Sequence, residues 1–146
     1  MHDTPAFERH IVAPGYGHIV SLHACGPRLI ATFIDDPDDL DAWAAAVRPN
    51  TKAFYGESIA NTKNDVLDIE GVSGVAHANG VPLIVDNTVP SPWLIRPLKW
   101  GADVVVHSTT KFIGGHGTSV GGVIIDGGTF DYAASGRHPM MTEPDP

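Results

Sequence analysis

Lys111 stands where an apolar run becomes a polar, glycine-rich loop: Asp103-Val104-Val105-Val106-His107-Ser108-Thr109-Thr110-Lys111-Phe112-Ile113-Gly114-Gly115-His116-Gly117. The three valines read as a buried strand that delivers a lysine, behind three hydroxyl residues, to a crowded polar site. A lysine amine is a useful nucleophile when desolvation or neighbouring cationic groups keep it partly unprotonated. The hydroxyls of Ser108, Thr109 and Thr110 could hydrogen-bond an anion such as a phosphate. A second stretch of the same kind lies upstream, where Val81-Pro82-Leu83-Ile84-Val85 ends in Asp86-Asn87-Thr88. Strand ends in open α/β sheets are where ligands bind.

An acid and a lysine presented from two strand ends are the pair that a pyridoxal phosphate site requires. The lysine forms a Schiff base, and the acid keeps the pyridine nitrogen protonated as an electron sink. The wording of these stretches resembles the Cys/Met-metabolism family of pyridoxal-phosphate enzymes: Val85-Asp86-Asn87-Thr88, Ser108-Thr109-Thr110-Lys111 and the following Gly114-Gly115-His116-Gly117. Glu57-Ser58-Ile59-Ala60-Asn61, with Thr51-Lys52-Ala53 ahead of it, is similar to the same family's upstream segment. Its O-acetylhomoserine sulfhydrylase branch is the most similar. Ile59 and Thr62, where many relatives have prolines, point to that branch and leave lyase and synthase relatives open.

The resemblance implies an α/β fold, part of the large domain of a fold type I (aspartate aminotransferase-like) PLP-dependent transferase, with a mostly parallel sheet flanked by helices. It covers residues 28–132, the central part of a PLP-binding domain. Residues 1–27 are expected to be an irregular segment outside it, and 133–146 a tail leading to a C-terminal domain that the chain lacks. The resemblance implies that pyridoxal 5'-phosphate is the cofactor and that Lys111 is its Schiff-base and catalytic lysine. Asp86 would pair with the ring nitrogen, Asn61 with the ring hydroxyl, and Ser108 and Thr110 with the phosphate. The implied reaction is γ-replacement on O-acetyl-L-homoserine by sulfide, giving L-homocysteine and acetate in methionine and cysteine biosynthesis. The family's arginine for the substrate carboxylate belongs to the absent domain, and its phosphate turn and ring-stacking aromatic have no clear counterpart in 1–27. Tyr16, between two glycines, is read there as a turn residue. A silent fragment that acts only in subunit association therefore remains open as the other class of explanation.

The elements that must position these residues are legible from pattern. Leu29–Ile34 reads as a strand, and Asp35-Asp36-Pro37-Asp38-Asp39 as a helix start, since acids and proline suit a first turn. Leu40, Trp43, Ala44 and Val47 then form one apolar helical face. A strand is expected over 51–56, a helix over 65–78 with Ile69, Val72, Val75 and Ala76 inward, and a strand over 81–85. The three prolines in 90–97 permit only short helical turns. Strands at 104–107 and 120–125 follow, the last reversed as in the family. In 1–27 the only strand signal is Ile19-Val20. Alternating strands and helices favour right-handed crossovers and a parallel sheet.

Composition excludes several classes. A net charge of −8 over 146 residues argues against nucleic acid and anionic membranes, which require a basic face. No apolar run approaches the roughly 18 residues of a membrane span, and the N-terminus lacks a signal peptide's basic and apolar regions. The single cysteine, Cys25, suits a reducing compartment, so the expected location is the cytoplasm. The expected partners are a small amino-acid substrate and further copies of the chain. Eight histidines invite a metal site, yet their spacing matches no ligand motif. His107 and His116 read as hydrogen-bonded structural residues. Gly117-Thr118-Ser119-Val120-Gly121 matches a serine-hydrolase pattern, but a nucleophile elbow needs a strand before it and a helix after, and here a loop precedes and a strand follows.

Overall fold

The computed structural model describes residues 9–14, 29–61 and 63–142. Six strands form one sheet in the order β2-β1-β3-β4-β5-β6. They are β1 Arg9–Pro14, β2 Leu29–Ile34, β3 Thr51–Glu57, β4 Leu83–Asp86, β5 Val104–Ser108 and β6 Gly122–Asp126. The first five pair in parallel, and β6 runs antiparallel to β5. The mostly parallel sheet and its reversed last strand are as the sequence led us to expect.

Residues 1–27 read as irregular apart from a short strand signal at Ile19-Val20, whereas Arg9–Pro14 is a strand, and it lies inside the sheet between β2 and β3. A six-residue stretch with no flanking amphipathic pattern carries little periodic signal, and its pairing comes from partners on both sides. Tyr16, Ile19-Val20, Cys25 and Thr62 lie outside the described residues.

Two helices, α1 Leu40–Ala45 and α2 Ile69–Ala78, cover one face of the sheet. Asp39 caps α1 by accepting from the Ala42 N–H at 3.0 Å, as expected of an acid at a helix start. Only Trp43 of the predicted α1 face is fully buried. Leu40 and Val47 pack at its edge, while Ala44 is exposed, since a helix of six residues turns fewer positions inward. The predicted helix over 65–78 begins later, at Ile69. Asp68 caps it by accepting from Gly71 N–H, and the preceding residues are drawn into extended contacts, Val66 bridging to Ile59 and Leu67 N–H donating to Ser58.

Trp43 and Phe54 meet inside the core with ring centroids 5.1 Å apart, and the indole N–H donates to the Pro37 carbonyl. They are joined by Val72, Ala76, Leu83, Val85 and Val105. Burial of each large apolar side chain contributes about 1.5–3 kcal/mol, enough to hold the strand ends in place. On the opposite face Tyr55, Ile84, Val104 and Val106 are half-buried. The proline-rich connection holds only α3 Ser91–Leu94 and a 3₁₀ turn over Pro97–Trp100. Two short helices, α4 Tyr132–Ser135 and α5 Pro139–Thr142, complete the described chain.

Candidate active site at the carboxyl ends of the strands

Asp86 is the last residue of β4, and Glu57 of β3 and Val106 of β5 lie opposite it in register. Its carbonyl accepts from the Ser58 N–H at 2.9 Å and the Ser58 hydroxyl at 3.2 Å. Both side-chain oxygens are engaged: Oδ1 accepts from the Thr88 N–H at 2.9 Å, and Oδ2 from the Tyr55 hydroxyl at 3.4 Å. Burial, then the charges of Asp86 and Glu57, push the Tyr55 phenol far above its ordinary range. The Tyr55 hydroxyl thus keeps its proton and can donate it to the Asp86 carboxylate.

The residues after Asp86 rivet three strands together. Asn87 is buried; its N–H donates to Val106 of β5, its Oδ1 accepts from Ser58 Oγ at 2.7 Å, and its Nδ2 donates to Ser91 and Ile95. Thr88 Oγ1 accepts from the Ser108 N–H at 2.8 Å. These contacts fix the ends of β3, β4 and β5 relative to one another.

Beyond Ser108 the chain makes a π-helical turn, Thr109–Ile113, with Lys111 at a non-helical φ of −87° and ψ of −122°. Gly114 closes the turn by donating to the Thr109 carbonyl at 2.8 Å. A Cβ at Gly114 would come within 2.6 Å of that carbonyl oxygen, which accounts for a glycine there. The Thr110 hydroxyl donates to the Gly121 carbonyl and accepts from the Gly121 N–H. Thr109, Ile113, Gly114, Gly117, Ser119 and Gly121 line a cavity of about 230 Å³ beside the lysine turn.

Asp86 and Ser108 therefore close two adjacent parallel strands at one end of the sheet, with Thr110 and Lys111 in the turn just beyond β5. Asn61 connects to them through Glu57, whose carboxylate accepts from the Asn61 N–H at 2.9 Å and from its side-chain amide at 3.4 Å. Two expectations change. The Lys111 side chain is exposed among the described residues, so they do not supply the desolvation inferred for it. His107 is buried on the covered face of β5, and its Nδ1 has no partner among the described residues, whereas His116 contacts the Gly114 carbonyl through Nδ1. Sequence reasoning also missed Tyr55, Ser58, Asn87 and Thr88 as supporting residues. Ser58, Asn87 and Thr88 had a positional signal, each lying just beyond the end of β3 or β4, whereas Tyr55 lies inside β3 and its role follows from register. The serine-hydrolase pattern falls in an exposed loop that leads into β6, and no group of three metal-ligating side chains occurs among the described residues.

The model of the Cys/Met metabolism PLP-dependent enzyme family matches residues 19–140. The chain belongs to this family. It is 53% identical over 126 residues to the O-acetyl-L-homoserine sulfhydrylase of Leptospira meyeri, covering 86% of this chain and 28% of that one. It is 54% identical over 114 residues to the homocysteine synthase of Schizosaccharomyces pombe, covering 77% and 26%. The chain thus spans little more than a quarter of the length of these relatives. Among solved structures, a putative O-acetylhomoserine (thiol)-lyase of Campylobacter jejuni, crystallised with a pyridoxyl-lysine phosphate, superposes with a TM-score of 0.74. The identity is 32%, over 81% of this chain and 30% of that one. Cystathionine γ-lyase of Lactobacillus plantarum gives a TM-score of 0.72, also at 32% identity, over 81% and 32%.

The architecture is that of part of a fold type I PLP-dependent transferase domain, and the cofactor that goes with the family is pyridoxal 5'-phosphate. The residues suit that group. A half-buried carboxylate is held by two donors, and the next strand ends in a hydroxyl with a lysine in the turn just beyond it. The Ser108 hydroxyl and the Lys111 amine make no hydrogen bond among the described residues.

Proposed function

We propose that the chain is the cofactor-lysine part of an enzyme that catalyses γ-replacement on O-acetyl-L-homoserine, sulfide displacing acetate to give L-homocysteine. The observation that carries this reading is the pairing of β4 with β5 in parallel, with an acid at the end of one and a lysine just past the end of the other. The names of the sulfhydrylase relatives support the choice of substrate. The likeness to a cystathionine γ-lyase keeps lyase and synthase relatives as the neighbouring alternative.

When bound, pyridoxal phosphate supplies an aldehyde and an electron-withdrawing ring. Lys111 would hold the group through its amine and would carry the substrate's proton. Asp86 would accept a hydrogen bond from the ring nitrogen. Ser108 and Thr110 would bind the phosphate, and Asn61 the ring hydroxyl. The same proposal takes the working form to be a homo-oligomer in the cytoplasm.

A second reading, subunit association without catalysis, draws on Trp93, Leu94, Phe112, Val120 and Ile124, all exposed large apolar side chains. One experiment separates the two. Pyridoxal phosphate is added, borohydride fixes it to the lysine it has reached, and peptides are mapped. The proposal expects label on Lys111 in preference to Lys52, Lys63 and Lys99, and about tenfold or greater loss of retention in Asp86→Ala, as for a charged hydrogen bond. Label spread evenly over the lysines leaves association as the better account.

A further inference from the structure

Tyr55 takes no part in the functions assigned above, yet it is the side chain that reaches the proposed cofactor acid from a neighbouring strand. The register opposes Tyr55 to Ile84 and Glu57 to Asp86, so Tyr55 and Asp86 sit diagonally on the same face of the sheet. Diagonal neighbours lie within reach of an aromatic side chain, and the phenol oxygen lies 3.4 Å from Asp86 Oδ2. The Thr88 N–H takes Oδ1. The carboxylate is thereby held at both oxygens, from two directions, with lone pairs left over for a third donor.

We infer that Tyr55 is a positioning residue for Asp86: its hydroxyl holds the carboxylate turned so that it can accept from a protonated pyridine nitrogen. The inference rests on the reading of Asp86 as the cofactor acid. The physical basis is that an O–H donated to one carboxylate oxygen fixes the direction in which the remaining lone pairs point. A carboxylate so turned would present an oxygen to the ring N–H and favour the protonated form of that nitrogen. The phenol is suited to this, since burial and two neighbouring carboxylates stop it from ionising.

The test compares two ligands, pyridoxal phosphate and its analogue with carbon in place of the ring nitrogen, in equilibrium titrations followed by absorbance. Tyr55→Phe keeps the ring and removes only the donor. We expect it to weaken pyridoxal phosphate binding about three- to tenfold, as for loss of one hydrogen bond, and the 3.4 Å contact points to the low end. Binding of the analogue should not change, and Tyr55→Phe should add nothing in an Asp86→Ala background. Equal losses for both ligands would show a packing role only and overturn the inference, as would no loss for either. If Asp86→Ala itself fails to discriminate the ligands, or the wild-type chain retains neither, the reading of Asp86 falls and the inference with it. That pattern differs from failure at Tyr55 alone, in which Asp86→Ala discriminates and Tyr55→Phe does not. The melting temperature of the chain without ligand, expected to be close to wild type in Tyr55→Phe, separates both from a folding defect.

Discussion

The two ends of the sheet handle polar groups in opposite ways. At the amino end, Asp103 is buried and fully employed, accepting from the Leu83 N–H at 2.8 Å and pairing with His77 Nε2 at 2.9 Å. Arg137 donates through Nη1 to the carbonyls of Arg48, Pro49 and Thr51, and His138 Nε2 donates to that of Lys52. Phe130, Tyr132 and His138 stack edge to face over the same region. At the carboxyl end, hydrogen bonds are spent on placing backbone and supporting residues, while the Lys111 amine faces outward. One end satisfies its polar groups within the chain; at the other, the Ser108 hydroxyl and the Lys111 amine make no hydrogen bond among the described residues.

That contrast can be broken first at the lysine. Lys111→Ala should abolish site-directed labelling by pyridoxal phosphate and borohydride while leaving the melting temperature within a degree or two, because an exposed side chain with no partner among the described residues contributes little to stability. Peptide mapping and a thermal melt on the same sample check both halves. A large fall in melting temperature would mean that the carboxyl end is structural after all.

Asp103→Ala should give the opposite signature. Removing a buried carboxylate leaves the Leu83 N–H without its acceptor and His77 without its partner, at a cost of about 2–4 kcal/mol. Urea unfolding measures this directly. If the cost falls below about 0.5 kcal/mol, comparable to an ordinary surface change, the amino end is not the clamp described.

Gly114→Ala sharpens the comparison by testing a place where geometry serves the site alone. Its added Cβ would press on the Thr109 carbonyl, and overpacking of this kind costs about 1–3 kcal/mol. The lysine turn should distort, so labelling of Lys111 should fall more than global stability does.

The sequence made the carboxyl end more legible than the amino end, for a physical reason. Asp86 and Lys111 follow short apolar runs, and strand-end chemistry is local: the residues that matter sit together in the chain. Asp103, His77 and Arg137 act across 20 to 89 positions, and no period or motif links them. β1 was missed on the same ground, since its place between β2 and β3 is set by long-range pairing. The late start of α2 was missed because Asp68, not Asp65, supplies the cap. Asp65 and Asp68 are equally plausible from composition. The Tyr55–Asp86 contact depends on strand register, which a one-residue slip would destroy.

The smallest predicted effect concerns His138, and it tests whether the amino-end clasp is closed by neutral or by charged hydrogen bonds. Burial is the main cause that lowers the His138 pKa below its ordinary value, with the charges of Lys52 and Arg137 adding to it, while the hydrogen bond to the Lys52 carbonyl works the other way. In the folded chain the neutral ring is therefore favoured, and between the folded and the unfolded pKa the unfolded chain binds more protons. The sign follows: the contribution is fully present above the unfolded value near 6.5 and is lost as pH falls from there toward the lower folded value. Because the ring is only partly buried, solvent screening keeps the effect small. His138→Gln retains an N–H that can reach the Lys52 carbonyl but cannot take up a charge, so its stability should fall less than that of wild type between pH 7 and pH 5. Carboxylates common to both chains cancel in the difference. Parallel pH profiles would mean that His138 does not sense protons in this clasp, and a steeper fall in the variant would reverse the sign argued here.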